Sequence, residues 1–140
     1  MKNAADIESY MLQLGLEFES VAENLWLVHD GEDNLDNVVV SLVDPIVLFQ
    51  VRVAELPPGD RTAIFKKLLE LNAADMLHGA YGIEGDWILM IDTLQSANLD
   101  LNEFQASLEA MGVALIQHYP VLKSLLGLGG DNGTAQEEAG

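Results

Sequence analysis

The chain has 140 residues, 49% of them hydrophobic, and sets 23 acidic side chains against 6 basic ones, for a net charge of −17. That length and apolar share suit one globular domain with its own core and exclude a disordered chain. The charge keeps an apolar-rich chain soluble and repels phosphate backbones and anionic lipid surfaces; it excludes nucleic acid and membrane as partners and favours basic segments of other proteins.

The N-terminal MKNAADIESY lacks the apolar stretch of a signal peptide, and nothing approaches the ~20 apolar residues of a membrane span, so the expected location is cytoplasmic. Ile7, Tyr10, Met11 and Leu14 fall at i, i+3, i+4 and i+7, one face of a helix, with Asn3 or Asp6 to cap its start and Gly15 to end it. Residues 16–21 alternate, with Leu16, Phe18 and Ser20 on one side and Glu17, Glu19 and Val21 on the other. Residues 25–29 follow after a link short enough for a hairpin. Asp30–Asn37, DGEDNLDN, reads as a polar acidic loop. Residues 38–43 form a β-branched strand, interrupted by Asp44-Pro45 and resumed over 46–54. There Val47, Phe49, Val51 and Val53 share one face and Ile46, Leu48, Gln50 and Arg52 the other. One face is wholly apolar and the other half apolar, so this sheet is expected to be covered on more than one side.

Leu56-Pro57-Pro58-Gly59 is a turn cluster, and Asp60 caps a second helix over 61–76. Ile64, Phe65, Leu68, Leu69 and Leu71 form its apolar set, with Lys66, Lys67 and Glu70 outside. Residues 80–83 and 87–94 are strands with Glu84-Gly85-Asp86 between them. A third helix starts near Asp100, with Glu103 at the reciprocal capping position. Its repeat runs through Leu101, Phe104, Leu108, Met111 and Leu115 to His118 and Leu122, and Pro120 predicts a kink or break at Tyr119. Residues 128–140, glycine-rich and acidic, are expected to form a disordered tail after a domain of residues 1–127. Helices at the start, middle and end of a chain of strands joined by short turns predict an α+β fold with an antiparallel sheet, in the order α-β-β-β-(β)-α-β-β-α.

The glycines of GAYGIEGDW invite a phosphate-loop reading, but a helix precedes them and a strand follows, the reverse of the dinucleotide fingerprint, and no Lys-Ser or Lys-Thr completes a P-loop. They are better explained locally: Gly79 ends a helix, Gly85 takes positive φ in a turn, and Gly82 permits close backbone approach. DGEDNLDN fails the EF-hand pattern, since its Gly and Glu positions hold Leu35 and Ser41; a weak cation site on the acidic loop stays open. His29, His78 and His118 show no metal-ligand spacing, no Ser occupies a G-x-S-x-G turn, and cysteine is absent. No catalytic, cofactor-binding or metal-binding residue is expected, and an enzyme built on Asp or Glu has no residue pattern behind it.

Leu68-Leu69-Glu70-Leu71-Asn72-Ala73, followed by Tyr81-Gly82-Ile83-Glu84-Gly85-Asp86-Trp87-Ile88-Leu89, resembles the type III secretion chaperones of the CesT (Tir chaperone) kind and the related YbjN-type proteins. The likeness covers Asp6 to about Leu126. It implies an α+β fold with a twisted antiparallel sheet, a homodimer and no enzymatic activity. Secretion chaperones of this kind hold an extended effector segment wrapped around the dimer, whereas YbjN-type proteins are linked to regulation and stress. The second helix and last strands also carry more apolar surface than one small sheet can bury, which points to a dimer through Phe65, Leu69, Trp87, Leu89 and Ile91. Ile7, Tyr10, Met11 and Leu14 on the first helix, with Val47, Phe49 and Val51 on the long strand, are the candidate partner contacts. The expected function is a non-enzymatic, secretion-chaperone-like module that holds an extended segment of a partner protein; the alternative is a YbjN-like regulatory or stress adaptor.

Overall fold

The computed structural model describes residues 2–31, 35–76 and 78–127. The chain runs α1 (Ala4–Gln13), β1 (Glu17–Ala22), β2 (Leu25–Asp30), β3 (Leu35–Val43), β4 (Ile46–Glu55), α2 (Thr62–Ala74), β5 (Ala80–Glu84), β6 (Trp87–Gln95) and α3 (Leu101–Leu125). All strand pairs are antiparallel, in the spatial order β1-β2-β3-β4-β6-β5. The fold is the expected α+β arrangement, with four strands before α2.

Local chemistry sets the helix starts. Asn3 and Asp6 act together at α1: the Asn3 side chain accepts from the Asp6 N–H, and the Asp6 carboxylate accepts from the Asn3 N–H. Asp100 and Glu103 repeat this at α3. Before α2, the Asp60 carboxylate accepts from both the N–H and the hydroxyl of Thr62, which holds it below its ordinary pKa.

One face of the sheet makes the core. Strand register aligns Trp26 with Val40 and Val40 with Phe49, and beside them Val51 with Met90 and Met90 with Tyr81. Ile7, Tyr10 and Met11 of α1 and Phe104, Leu108, Met111 and Leu122 of α3 pack over them. Phe104 meets Phe49 edge to face at 5.1 Å and Tyr10 at 5.7 Å. Each large side chain buried here stabilises the fold by about 1.5–3 kcal/mol. Polar tethers fix the layers: Trp26 Nε1 donates to Glu8 at 2.8 Å, the Tyr10 hydroxyl donates to the Leu99 carbonyl at 2.9 Å, and the Ser107 hydroxyl donates to the buried Asp92 carboxylate.

Several expectations change. The acidic stretch is not all loop: Leu35, Asp36 and Asn37 belong to β3, and Leu35 is buried. Two successive outward residues, Asp36 and Asn37, with Asn37 at φ +55° and a register shift opposite, form a bulge that hides the strand's alternation. Residues 32–34 lie outside the described residues, as does the expected tail, 128–140. α2 stops at Ala74, so Gly79 does not end it. Gly79 instead enters β5 at φ +74°, where any Cβ would collide with the Ile91 carbonyl oxygen. Gly85, at φ +61°, opens the two-residue turn between Glu84 and Trp87. α3 runs through Pro120 without a break. Ile116 and Pro120 are exposed, so the carbonyl that loses its donor lies on the solvent side.

Candidate functional site

Among the described residues no helix covers the second face of the sheet. Strand alternation places Leu25 and Leu27 of β2, Val39 and Ser41 of β3, Leu48, Gln50 and Arg52 of β4, and Trp87, Leu89 and Ile91 of β6 on that face. Most are half-buried by their neighbours in the sheet, and none belongs to the core cluster. A hollow of about 610 Å³ lies over them. Leu27, Val39 and Leu89 line it with Trp87, and Asp36 and Glu84 add carboxylates. The Arg52 guanidinium carbon stands 4.6 Å from the centre of the Trp87 ring, a cation–π contact that holds the indole in place.

The structure separates the two predicted residue sets. Ile7, Tyr10, Met11, Val47, Phe49 and Val51, expected as partner contacts, are core residues with at most 8% exposure. A partner at the surface does not reach them; their periodicity marks the face turned inward. Leu14, the last of that set, is half-buried against the core. The expected dimer residues are placed differently. Trp87, Leu89 and Ile91 lie together on the uncovered face, while Phe65 and Leu69 project from α2 with 38% and 69% exposure. Among the described residues, the sheet expected to be covered on more than one side is covered by its own helices on one side alone.

A second cluster escaped sequence reasoning. The side-chain amide of Asn72, at the end of α2, accepts from the Tyr81 backbone N–H at 2.7 Å and donates to the Tyr81 carbonyl at 3.1 Å. The Tyr81 hydroxyl lies 2.8 Å from His118 Nδ1. Burial pushes the Tyr81 hydroxyl above and the His118 imidazole below its ordinary pKa; Asp75 pulls the imidazole the other way and Lys67 adds to the lowering. The Asn in L-L-x-L-N was the one available signal, since a polar residue at the end of an apolar stripe asks for a partner.

The arrangement carries little reactive chemistry. His29 pairs with Asp36 at the surface, and His118 meets a tyrosine. Ser107 and Asp92 face each other without an imidazole among their bonded partners. Among the described residues no three His, Asp or Glu side chains converge as metal ligands, and no helix is long and apolar enough to cross a membrane.

No curated protein sequence matches the chain significantly. Solved structures share its fold. The structure of YbjN, a putative transcription regulator from E. coli, matches with a TM-score of 0.64 at 15% identity over 86% of this chain and 93% of that one. A chain in the heterodimeric ExoU–SpcU complex of the Pseudomonas aeruginosa type III secretion system matches with a TM-score of 0.62 at 17% identity, over 86% and 97%. A chain of the ExsC–ExsE complex matches with a TM-score of 0.52 at 16% identity, over 90% and 97%. The CesT_Tir_1 family model matches residues 1–126, the whole of the sheet and all three helices. The chain therefore belongs to the CesT_Tir_1 family.

Proposed function

We propose that the protein is a non-enzymatic, secretion-chaperone-like module that holds an extended segment of a partner protein on the uncovered face of its sheet. The supporting observation is that face itself: Leu27, Val39, Trp87 and Leu89 line a hollow beside the polar Gln50 and Arg52, and among the described residues the helices pack on the opposite side. Apolar floors flanked by carboxylates suit segments with apolar anchors between basic residues, and the net charge of −17 draws such segments in. A homodimer is part of this reading. Phe65 and Leu69 form an apolar ridge on α2, with Lys66 and Glu70 beside it. Two such helices packed antiparallel set Lys66 of each copy near Glu70 of the other, so the ridge is self-complementary.

The test is a native pull-down from the protein's own cells at moderate salt, with mass spectrometry of what stays bound, for the wild type and Val39→Asp. One abundant partner, retained by the wild type and lost from a folded Val39→Asp, is the expected result. A stable monomer that retains nothing sinks the proposal. Scattered weak partners, equally retained by both proteins, favour the YbjN-like regulatory reading.

A further inference from the structure

Away from the uncovered face, the end of α2, the edge strand β5 and the last turns of α3 meet around one residue, Tyr81. Its backbone N–H and carbonyl point away from β6, and the Asn72 side chain takes both. A strand added outside β5 would use the same two groups, so the Asn72 amide stands where a neighbouring strand's peptide would stand. The Tyr81 side chain runs inward to His118. His118 is 4% exposed; its Nε2 is buried without a hydrogen-bond partner and faces Asp75 Oδ2 at 3.7 Å, beyond bonding reach.

We propose that Asn72, Asp75, Tyr81 and His118 form an acid-operated latch, which keeps the outer edge of β5 closed to strand addition at neutral pH and opens it on acidification. With a neutral imidazole, Nδ1 accepts the Tyr81 O–H and the tyrosine stays seated beside Asn72. A proton taken from solvent onto Nδ1 removes that acceptor, and the hydroxyl must turn and accept instead. It also places a charge where water is excluded. Burial opposes that charge most strongly, Asp75 favours it and Lys67 on α2 opposes it. Asp75 is half exposed, so water weakens its pull. Among the described residues, His78 and Glu109 are titratable groups that line the adjacent hollow with Asp75. Moving Tyr81 away from α3 lets water reach the charged ring, and the same movement takes the Tyr81 N–H and carbonyl off Asn72.

Hydrogen exchange of the Tyr81 amide, measured by NMR at about pH 7.5 and about pH 5.5 and corrected for intrinsic rates, tests the latch. Tyr81 protection is expected to fall about tenfold on acidification, the scale of one pK unit, while the Phe49 amide in the central strand holds. His118→Gln, which donates and accepts but does not titrate, is expected to flatten the response. Asn72→Ala is expected to remove Tyr81 protection at both pH values. The His118 ring-proton shift of the wild type reads protonation without any variant, and its midpoint is expected to coincide with Tyr81 opening. Unchanged Tyr81 protection, an equal loss in His118→Gln, or opening over a range where the His118 shift is static would each overturn the latch.

Discussion

On one face of the sheet, Trp26, Val40, Phe49 and Met90 lie beneath α1 and α3 and keep almost no exposure; on the other, Leu27, Val39 and Trp87 lie half-buried with no helix above them. The two faces come from the same strands, and residues one position apart go to opposite fates. The difference lies in what stands opposite. An apolar side chain contacted from both sides contributes packing as well as desolvation, whereas one contacted only from its own sheet contributes part of the second term and leaves surface for another molecule.

That contrast can be broken experimentally. Phe49→Ala removes a ring packed against Phe104 and is expected to cost about 3–5 kcal/mol in urea unfolding. Leu27→Ala, on the other face, is expected to cost about 1–2 kcal/mol, because its half-buried side chain has neighbours on one side only. Equal losses would mean that the second face is already packed in solution. α3 is the lid of the core face, and Asp100→Ala, which removes its reciprocal cap, is expected to cost about 1 kcal/mol.

The same lid carries His118, whose buried ring binds protons less readily in the folded chain than in the unfolded one. Its contribution to stability is therefore complete above about pH 6.5, the ordinary imidazole value, and is lost as the pH falls through the lower folded value. Urea midpoints at about pH 7.5 and about pH 5.5, compared between the wild type and His118→Gln, isolate this group from the carboxylates. A drop in midpoint shared equally by both proteins assigns the effect elsewhere. Val39→Asp puts a poor strand former at a half-buried position of β3 and is expected to cost the monomer about 1 kcal/mol, little enough to leave it folded. Its effect belongs to partner retention.

Much of the fold is legible in the sequence because it is written locally. The cap of α1 at Asn3 or Asp6, the reciprocal cap at Asp100/Glu103, the turn at Gly85-Asp86 and the three-four repeat of α3 each lie within a few residues of chain. What escaped is set at longer range. Alternation along β4 shows two unlike faces but not which one the helices take, so Val47, Phe49 and Val51 passed for a contact surface while forming the core. The bulge at Asn37 shifted the alternation and concealed the start of β3. Pro120 predicts a kink or break and α3 has no break there, because its cost depends on whether the orphaned carbonyl faces water, a property of the packed helix. The Asn72–Tyr81 pair needs α2 already lying along the sheet edge before either residue shows its purpose.

The placement of β6 between β4 and β5 has a consequence for how the chain is made. β1 to β4 follow one another as a meander, each pairing with its predecessor, so they assemble from contacts close in sequence. β4 then waits: its second neighbour pairs Ile46 with Gln95 and Glu55 with Trp87, across the whole of α2 and β5. During synthesis, a chain that has released β4 but not β6 offers an unpaired, valine-rich border to whatever is near. Pulse-labelled exchange should show β2–β3 amides protected before those shared by β4 and β6, and the interval between the two is when this protein itself most needs protection from aggregation.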